Sequence, residues 1–512
     1  MFAIRTGLNS AFGLSQHALV IVGQNKLIKN FPFGGDLEAK FAGEIDARKW
    51  NEAMKVLPVS GSLPLVFNQS RIISVPDSAS RHNTPSNCHI ISRELKTLPF
   101  YKGGFSALNI VLICNADNVL ANIAAIARSF PLYFRKTGQS PVNVIVEICL
   151  ADRELTDDDI SYLINLACWI REVCRLVDAP PNELTTDAFL LKALCVAEQL
   201  GVKQTVISAS LGEDLKRQNF GGIYNVGKAG SSPPAFAVLS YEPEDAKETY
   251  CLVGKGVVFD TGGMQIKGKT GMPGYRAGSK PAAFSARNLD ESHNRDMGGA
   301  AAVLGAFYLL VSAKFRHNLH ACLCIVENNI SPKANKPDDI ITMLSGKTVE
   351  INNTDAEGRL ILADGVYYAK NTLKADVIID MATLTGTQLY LSGKLHGALL
   401  TNCREWEEKA CEAGRRSGDL VAPMVFCPDL HFSDLKSPVA DMRNSNLVKT
   451  EGPPSALAGL FIGSHIEFGE GLKWLHFDIA SAAESGDRGT GYGLALLSYL
   501  LGHLTRIPML QH

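Results

Sequence analysis

The sequence predicts an α/β protein of two domains: a small N-terminal α/β domain, then a larger C-terminal one with a mixed, mostly parallel sheet flanked by helices. Three observations carry this. From residue 183 onward, continuous apolar runs alternate with helical runs, the pattern of strands buried on both faces. The chain has 512 residues and is 46% hydrophobic, enough for more than one core. Between the two halves, Asp157–Val177 is a clear helix, apolar at Ile160, Leu163, Ile164, Ala167, Ile170, Cys174 and Val177. It stops at Asp178-Ala-Pro-Pro-Asn182, because proline interrupts the backbone ladder. The expected boundaries are residues 1–156 for the first domain, 157–182 for the linking helix and junction, and 183–512 for the second.

In the first domain Ala18–Val22, Leu65–Phe67, Asn109–Cys114 and Val142–Cys149 read as strands and Val119–Phe130 as a helix. Ser80–Asn87 is a polar, Pro-containing loop, and no constellation of reactive residues stands out here. In the second domain Thr186–Leu200 is a helix capped by Thr185 or Thr186. Ala235–Ser240, Tyr250–Phe259, Leu319–Val326 and Val377–Ala382 are apolar strands, and Gly298–Ser312 and Leu360–Lys370 are helices.

Composition narrows the function. Net charge is −2 with no basic block, so a nucleic-acid footprint is not expected. No apolar run reaches the roughly 18 residues of a membrane span, and Met1–Ser15 has no signal-type apolar core. The 12 cysteines form no C-x-x-C, and Cys114, Cys149, Cys322 and Cys324 lie in apolar runs; they read as reduced core residues of a cytoplasmic protein.

The chemistry concentrates in Asn353-Thr-Asp-Ala-Glu-Gly-Arg-Leu360, between a β-like run, Lys347–Ile351, and a helical one. If the backbone is extended, Asp355 and Glu357 point to the same side. Two carboxylates ~4 Å apart repel by roughly 4 kcal/mol at an effective dielectric of ~20, so a cation is needed beyond Arg359. A second cluster, Gly254-Lys-Gly-Val-Val-Phe-Asp-Thr-Gly-Gly263, offers Lys255 and Asp260 at a strand end, with Lys267 following. A third, Arg295-Asp-Met-Gly-Gly299, opens a helix with Asp296. Each has a plain structural reading: a polar loop, an ion pair, an N-cap. Together, however, Asp260, Asp296, Asp355 and Glu357 lie at strand or helix ends of one α/β half. If they converge, about two divalent cations are required, and oxygen-rich ligation suits Zn, Mn or Mg. Two such ions activate a shared water for hydrolysis. A competing motif, Gly263-Met-Gln-Ile-Lys-Gly-Lys-Thr270, fits the P-loop pattern, with Val377-Ile-Ile-Asp380 as a candidate Walker B strand. Gly271-Met-Pro-Gly274 breaks the helix that a P-loop needs at that point.

Asn353–Leu360, taken with Lys255–Gly263, Lys267 and Asp296–Ala300, resembles the cytosolic leucine aminopeptidase family, in its animal branch. The resemblance extends to Asp380-Met-Ala-Thr-Leu-Thr-Gly386 and Trp474-Leu-His-Phe-Asp-Ile-Ala480 and covers nearly all of 180–510. It implies a cytoplasmic, hexameric metalloexopeptidase that cleaves N-terminal leucine and other apolar residues from peptides, with its catalytic domain at the C-terminal end. By motif, Asp260, Asp355 and Glu357 would hold one metal, and Lys255, Asp260, Asp296 and Glu357 the other. Lys267 would polarise the scissile carbonyl, and Arg359 would hold a bicarbonate acting as general base. Asn353, Ala356 and Thr383 would line the first subsite, with Leu384 and Gly386 contributing backbone groups.

One departure stands out. Family members put only a couple of residues between the Met-Pro-Gly position and Arg295-Asp296, whereas Tyr275–Asn294 intervenes here. Three explanations stay open: a bulging loop or lid at the site mouth, an unremoved intron in the translated sequence, or the mark of an inactivated paralogue. The alternatives to a working aminopeptidase are accordingly a non-catalytic hexameric scaffold disabled by this insert and, behind it, a P-loop NTPase.

Overall fold

The computed structural model describes residues 1–14, 16–67, 69–98, 107–208, 214–268, 296–446 and 451–511. The chain divides into two compact units: Met1–Glu172 with Glu412–Leu420 and Arg506–His512, and Val173–Cys411 with Val421–Thr505. The boundary at 172/173 falls inside the helix Asp157–Asp178.

The first unit is built on six strands: β1 (Phe2–Thr6), β2 (Ala18–Gln24), β3 (Gly61–Val66), β4 (Ser70–Val75), β5 (Leu108–Cys114) and β6 (Val144–Leu150). Their order is β1-β6-β5-β2-β4-β3, with only the β3–β4 pair antiparallel. Leu19, Ile21, Ile28, Phe41, Trp50, Ile72, Val111 and Ile113 close one core against this sheet. The strand expected at Leu65–Phe67 lies earlier, at Gly61–Val66, and Phe67 is exposed. The helix expected at Val119–Phe130 is Ala116–Arg128. Its earlier start has a long-range cause: Ala116 N–H donates to Asp152 Oδ1 at 2.9 Å, a cap that no local pattern reveals.

The second unit holds β7 (Lys203–Ser208), β8 (Ala235–Tyr241), β9 (Thr249–Asp260), β10 (Asn318–Asn328), β11 (Ile340–Thr342), β12 (Thr348–Glu350), β13 (Val377–Ala382), β14 (His396–Thr401), β15 (Leu420–Pro423), β16 (Met442–Arg443) and β17 (Lys473–Asp478). The main sheet runs β15-β14-β17-β13-β9-β10-β8-β7, and β11-β12-β16 form a small separate sheet. The four central strands, β17, β13, β9 and β10, are mutually parallel. The expected mixed sheet is found, parallel at its centre and antiparallel at the flanks, where β8–β10, β7–β8 and β14–β17 pair. An apolar run such as Ala235–Ser240 reports burial of both faces and says nothing of direction.

Helices Gly298–Ser312 and Glu357–Asn371 pack on this sheet. The first sits very close: a Cβ on Gly299 would lie 2.0 Å from Met381 O, so glycine sets the approach. Thr185 caps helix Thr186–Leu200, its hydroxyl accepting from Ala188 N–H at 3.2 Å. Among the described residues no helix is long and apolar enough to cross a membrane.

Candidate active site

The carboxyl ends of the central strands carry the reactive groups, where open α/β sheets place their sites. Lys255 and Asp260, both buried, lie on β9. Gly262 and Gly263, at φ +83° and +64°, then turn the chain, and a Cβ on Gly262 would stand 2.9 Å from Asp355 Oδ1. The turn brings Lys267 back: its N–H donates to Thr261 O at 2.9 Å, and its ammonium lies 2.8 Å from Asp260 Oδ2 and touches Asp355 Oδ1.

Asp355 and Glu357 are not on extended backbone, as the sequence reading supposed. Asp355 lies in a turn, Ala356 (φ −109°, ψ 42°) is the N-cap, and Glu357 is the first residue of helix Glu357–Asn371. Asn353 shapes the turn, its Oδ1 accepting from Asp355 N–H at 2.9 Å. Oxygens of Asp260, Asp355 and Glu357 lie within 4.8 Å of one another. Asp296 joins them through Lys255, whose ammonium contacts Asp296 Oδ2, lies 2.9 Å from Glu357 Oε1 and donates to Thr383 O at 3.0 Å. Asp296 does not cap its helix: Met297 is the N-cap, and the Asp296 carboxylate accepts from Thr383 Oγ1. Two backbone hydrogen bonds of 3.1 Å between Asp296 and Val257 hold it there.

The other expected residues have partners of their own. Arg359 is buried, and its Nη1 donates to Asn444 O at 2.9 Å. Leu384 N–H donates to Asp478 Oδ1 at 3.2 Å, and the Gly386 carbonyl accepts from Leu389 N–H at 3.3 Å within its own turn. Sequence reasoning passed over Asn328 and Asn444, and quoted Asp478 only within Trp474–Ala480 without giving it a role. Asn328 ends β10 next to Glu327, and a polar pair closing an apolar strand was the available signal.

Burial dominates the electrostatics. It raises Asp260, with Glu357 adding to the rise, and raises Asp296 well above the usual carboxylate range. It pushes Asp355 up to about 8, with the Asp260 charge contributing. Burial acts on Glu357 in the same direction, yet Lys255 and Lys267 outweigh it and hold this carboxyl below its ordinary value. Burial would lower both lysines, but the acids around them raise both. Three buried carboxylates and the partly buried Asp355 face two ammonium groups, an excess of two negative charges that favours proton uptake by the acids. Divalent ions would offset that excess without protons, so the donor set fits metal binding.

The P-loop alternative finds no support. Asp380, the Walker B candidate, is buried, accepting from Trp474 Nε1–H at 2.7 Å and pairing with His476 Nδ1. Lys269, Thr270, the Tyr275–Asn294 insert and Arg295 lie outside the described residues.

Comparison with known proteins agrees with this geometry. Residues 172–498 match the model of the cytosol aminopeptidase family, catalytic domain, and residues 17–139 match the M17 aminopeptidase N-terminal domain 2. Leucine aminopeptidase 1 of Caenorhabditis elegans is 53% identical, with 99% of each chain covered. Its solved structure superposes with a TM-score of 0.92 over 100% of both chains. Probable aminopeptidase NPEPL1 of Homo sapiens is 44% identical, covering 96% of this chain and 91% of its own. The apo structure of leucyl aminopeptidase from Trypanosoma cruzi is 33% identical with a TM-score of 0.83, covering 98% of this chain and 97% of its own. A buried acid cluster at the carboxyl edge of the sheet, and two family models that together span most of the sequence, establish that this chain belongs to the cytosol aminopeptidase family of metal-dependent exopeptidases.

Proposed function

We propose that this chain releases N-terminal leucine and other apolar residues from peptides in the cytoplasm, as a homohexamer with two divalent ions per subunit, zinc with manganese or magnesium in one site. The observation that carries the reading is the meeting of Asp260, Asp355 and Glu357 oxygens within 4.8 Å, with Asp296 joined through Lys255. Asp260, Asp355 and Glu357 would hold one ion, and Lys255, Asp260, Asp296 and Glu357 the other, Asp260 and Glu357 serving both. When bound, the ions supply Lewis acidity and an activated water. Lys255 must lose its proton to serve as a ligand, which requires the ion to replace the acids as its partner.

Were those acids to hold metal, the Lys267 ammonium would be free to face the scissile carbonyl and stabilise negative charge on its oxygen. Arg359 projects from the helix that begins at Glu357, and its bond to Asn444 O steadies the guanidinium for a bicarbonate acting as general base. Asn353, Ala356 and Thr383 line the pocket for the first side chain, while Leu384 and Gly386 offer backbone groups.

Hydrolysis of leucine amide by purified protein, before and after chelation and with Mn or Zn restored, tests this. The expected outcome is turnover that chelation abolishes and metal restores, with Glu357→Gln inactive but folded. An intact oligomer loaded with two ions per chain and showing no turnover would overturn it.

A further inference from the structure

Strand β10 ends at Asn328, and its backbone carbonyl accepts from Thr261 N–H at 2.9 Å and Thr261 Oγ1 at 3.0 Å, tying the ends of β9 and β10 together. Its buried side chain does something that tie does not require. Nδ2 donates to Asp260 Oδ1 at 2.9 Å and to Thr354 O at 3.0 Å, and reaches Glu357 Oε2 at 3.4 Å. The opposite oxygens of the same two acids, Asp260 Oδ2 and Glu357 Oε1, face Lys267 and Lys255 at 2.8 and 2.9 Å. One amide thus takes one oxygen from each carboxylate and leaves the other directed at the cationic side of the cluster. Of the two short bonds, that to Thr354 O ties the amide to the turn that carries Asp355, and the longer contact with Glu357 Oε2 shares one of the two amide hydrogens. A neutral donor suits this place: a cation would compete with bound metal, and an acid would add a fifth negative charge.

We infer that Asn328 is a positioning residue of the metal centre, its amide fixing the spacing and rotamers of Asp260 and Glu357. The inference rests on the metal reading given under the proposed function. Groups that hold ligating carboxylates from behind orient them and tune their affinity. Asn328 reaches both acids through a single side chain, so it couples two ligands that come from a strand end and a helix start.

Wild type, Asn328→Ala and Asn328→Ser are stripped of metal and titrated with Co(II), followed by its visible absorption. Failure of the wild type to bind cobalt would sink the metal reading itself, a separate outcome. If wild type binds and the inference holds, both variants melt near the wild-type temperature without metal and bind cobalt about 10–100-fold more weakly. Their bound-cobalt band is also displaced. With saturating cobalt and leucine amide, kcat falls while KM is retained. Folded variants with wild-type cobalt affinity and spectrum overturn the inference. Failure of both variants to fold also overturns it, since Asn328 is then a strut of the fold.

Discussion

Gly358 has no side chain because Lys255 occupies the space. A Cβ there would lie 2.4 Å from Lys255 Cε and 2.6 Å from its Nζ. The residue is helical, so Gly358→Ala gains roughly 0.5–1 kcal/mol of helix propensity while forcing the ammonium out from among Asp296 and Glu357. Gly358→Ala is therefore expected to melt close to wild type and to lose activity by two orders of magnitude or more, checked by calorimetry beside leucine-amide turnover. At this scale the sequence was legible in residue types: the octet and the two clusters named all four acids and both lysines. Their geometry was not. A period-two argument put Asp355 and Glu357 on one side, whereas the structure does this with a turn and a helix start. Asn328 stayed hidden because a Glu-Asn pair closing an apolar strand looks the same whether the amide faces water or two carboxylates.

Among elements, the helix Gly221–Gly227 is too short to persist on propensity. Asp364, fully buried in the middle of helix Glu357–Asn371, holds it in place. Its Oδ2 accepts from Ile223 N–H at 3.0 Å and its Oδ1 from Leu344 N–H at 2.9 Å. Burial pushes this carboxyl up to about 7, against the pull of those N–H donors. Asp364→Ala would strand both donors, and the expected cost is on the order of 3 kcal/mol, read as a lower denaturation midpoint at unchanged slope. The sequence showed the apolar stripe of this helix and not its buried acid, because a hydrophobic period tolerates one polar residue without losing its signature. Strand positions were legible to within a few residues wherever the run was fully apolar, as at β9, β10 and β13. Strand direction was not legible, because it depends on partners elsewhere in the chain.

For the molecule as a whole, metal and protons compete for the same acids. Burial pushes the Asp355 carboxyl up to about 8, from an ordinary value of 3.8. A raised carboxyl favours the protonated folded state. Its contribution is therefore complete below about pH 3.8 and is lost as pH rises through about 8. The metal-free protein is expected to lose stability across that window, and added zinc or manganese to stabilise it more strongly as pH rises, because fewer protons must be displaced. At a thousandfold excess over the dissociation constant the gain is about 4 kcal/mol. Melting curves with and without chelator from pH 6 to 9 check this, and a metal-induced shift that shrinks with rising pH would contradict it.

The two backbone holds at β9 have a consequence for the site. Lys267 N–H is fastened to Thr261 O, just past the end of β9, and Asp296 to Val257 on β9, so Lys267 and Asp296 are each held by backbone beside the same strand. The separation of Lys267 from Asp296 is thereby set by these two backbone holds, and the ammonium and the carboxylate keep their places by the same strand that carries Lys255 and Asp260.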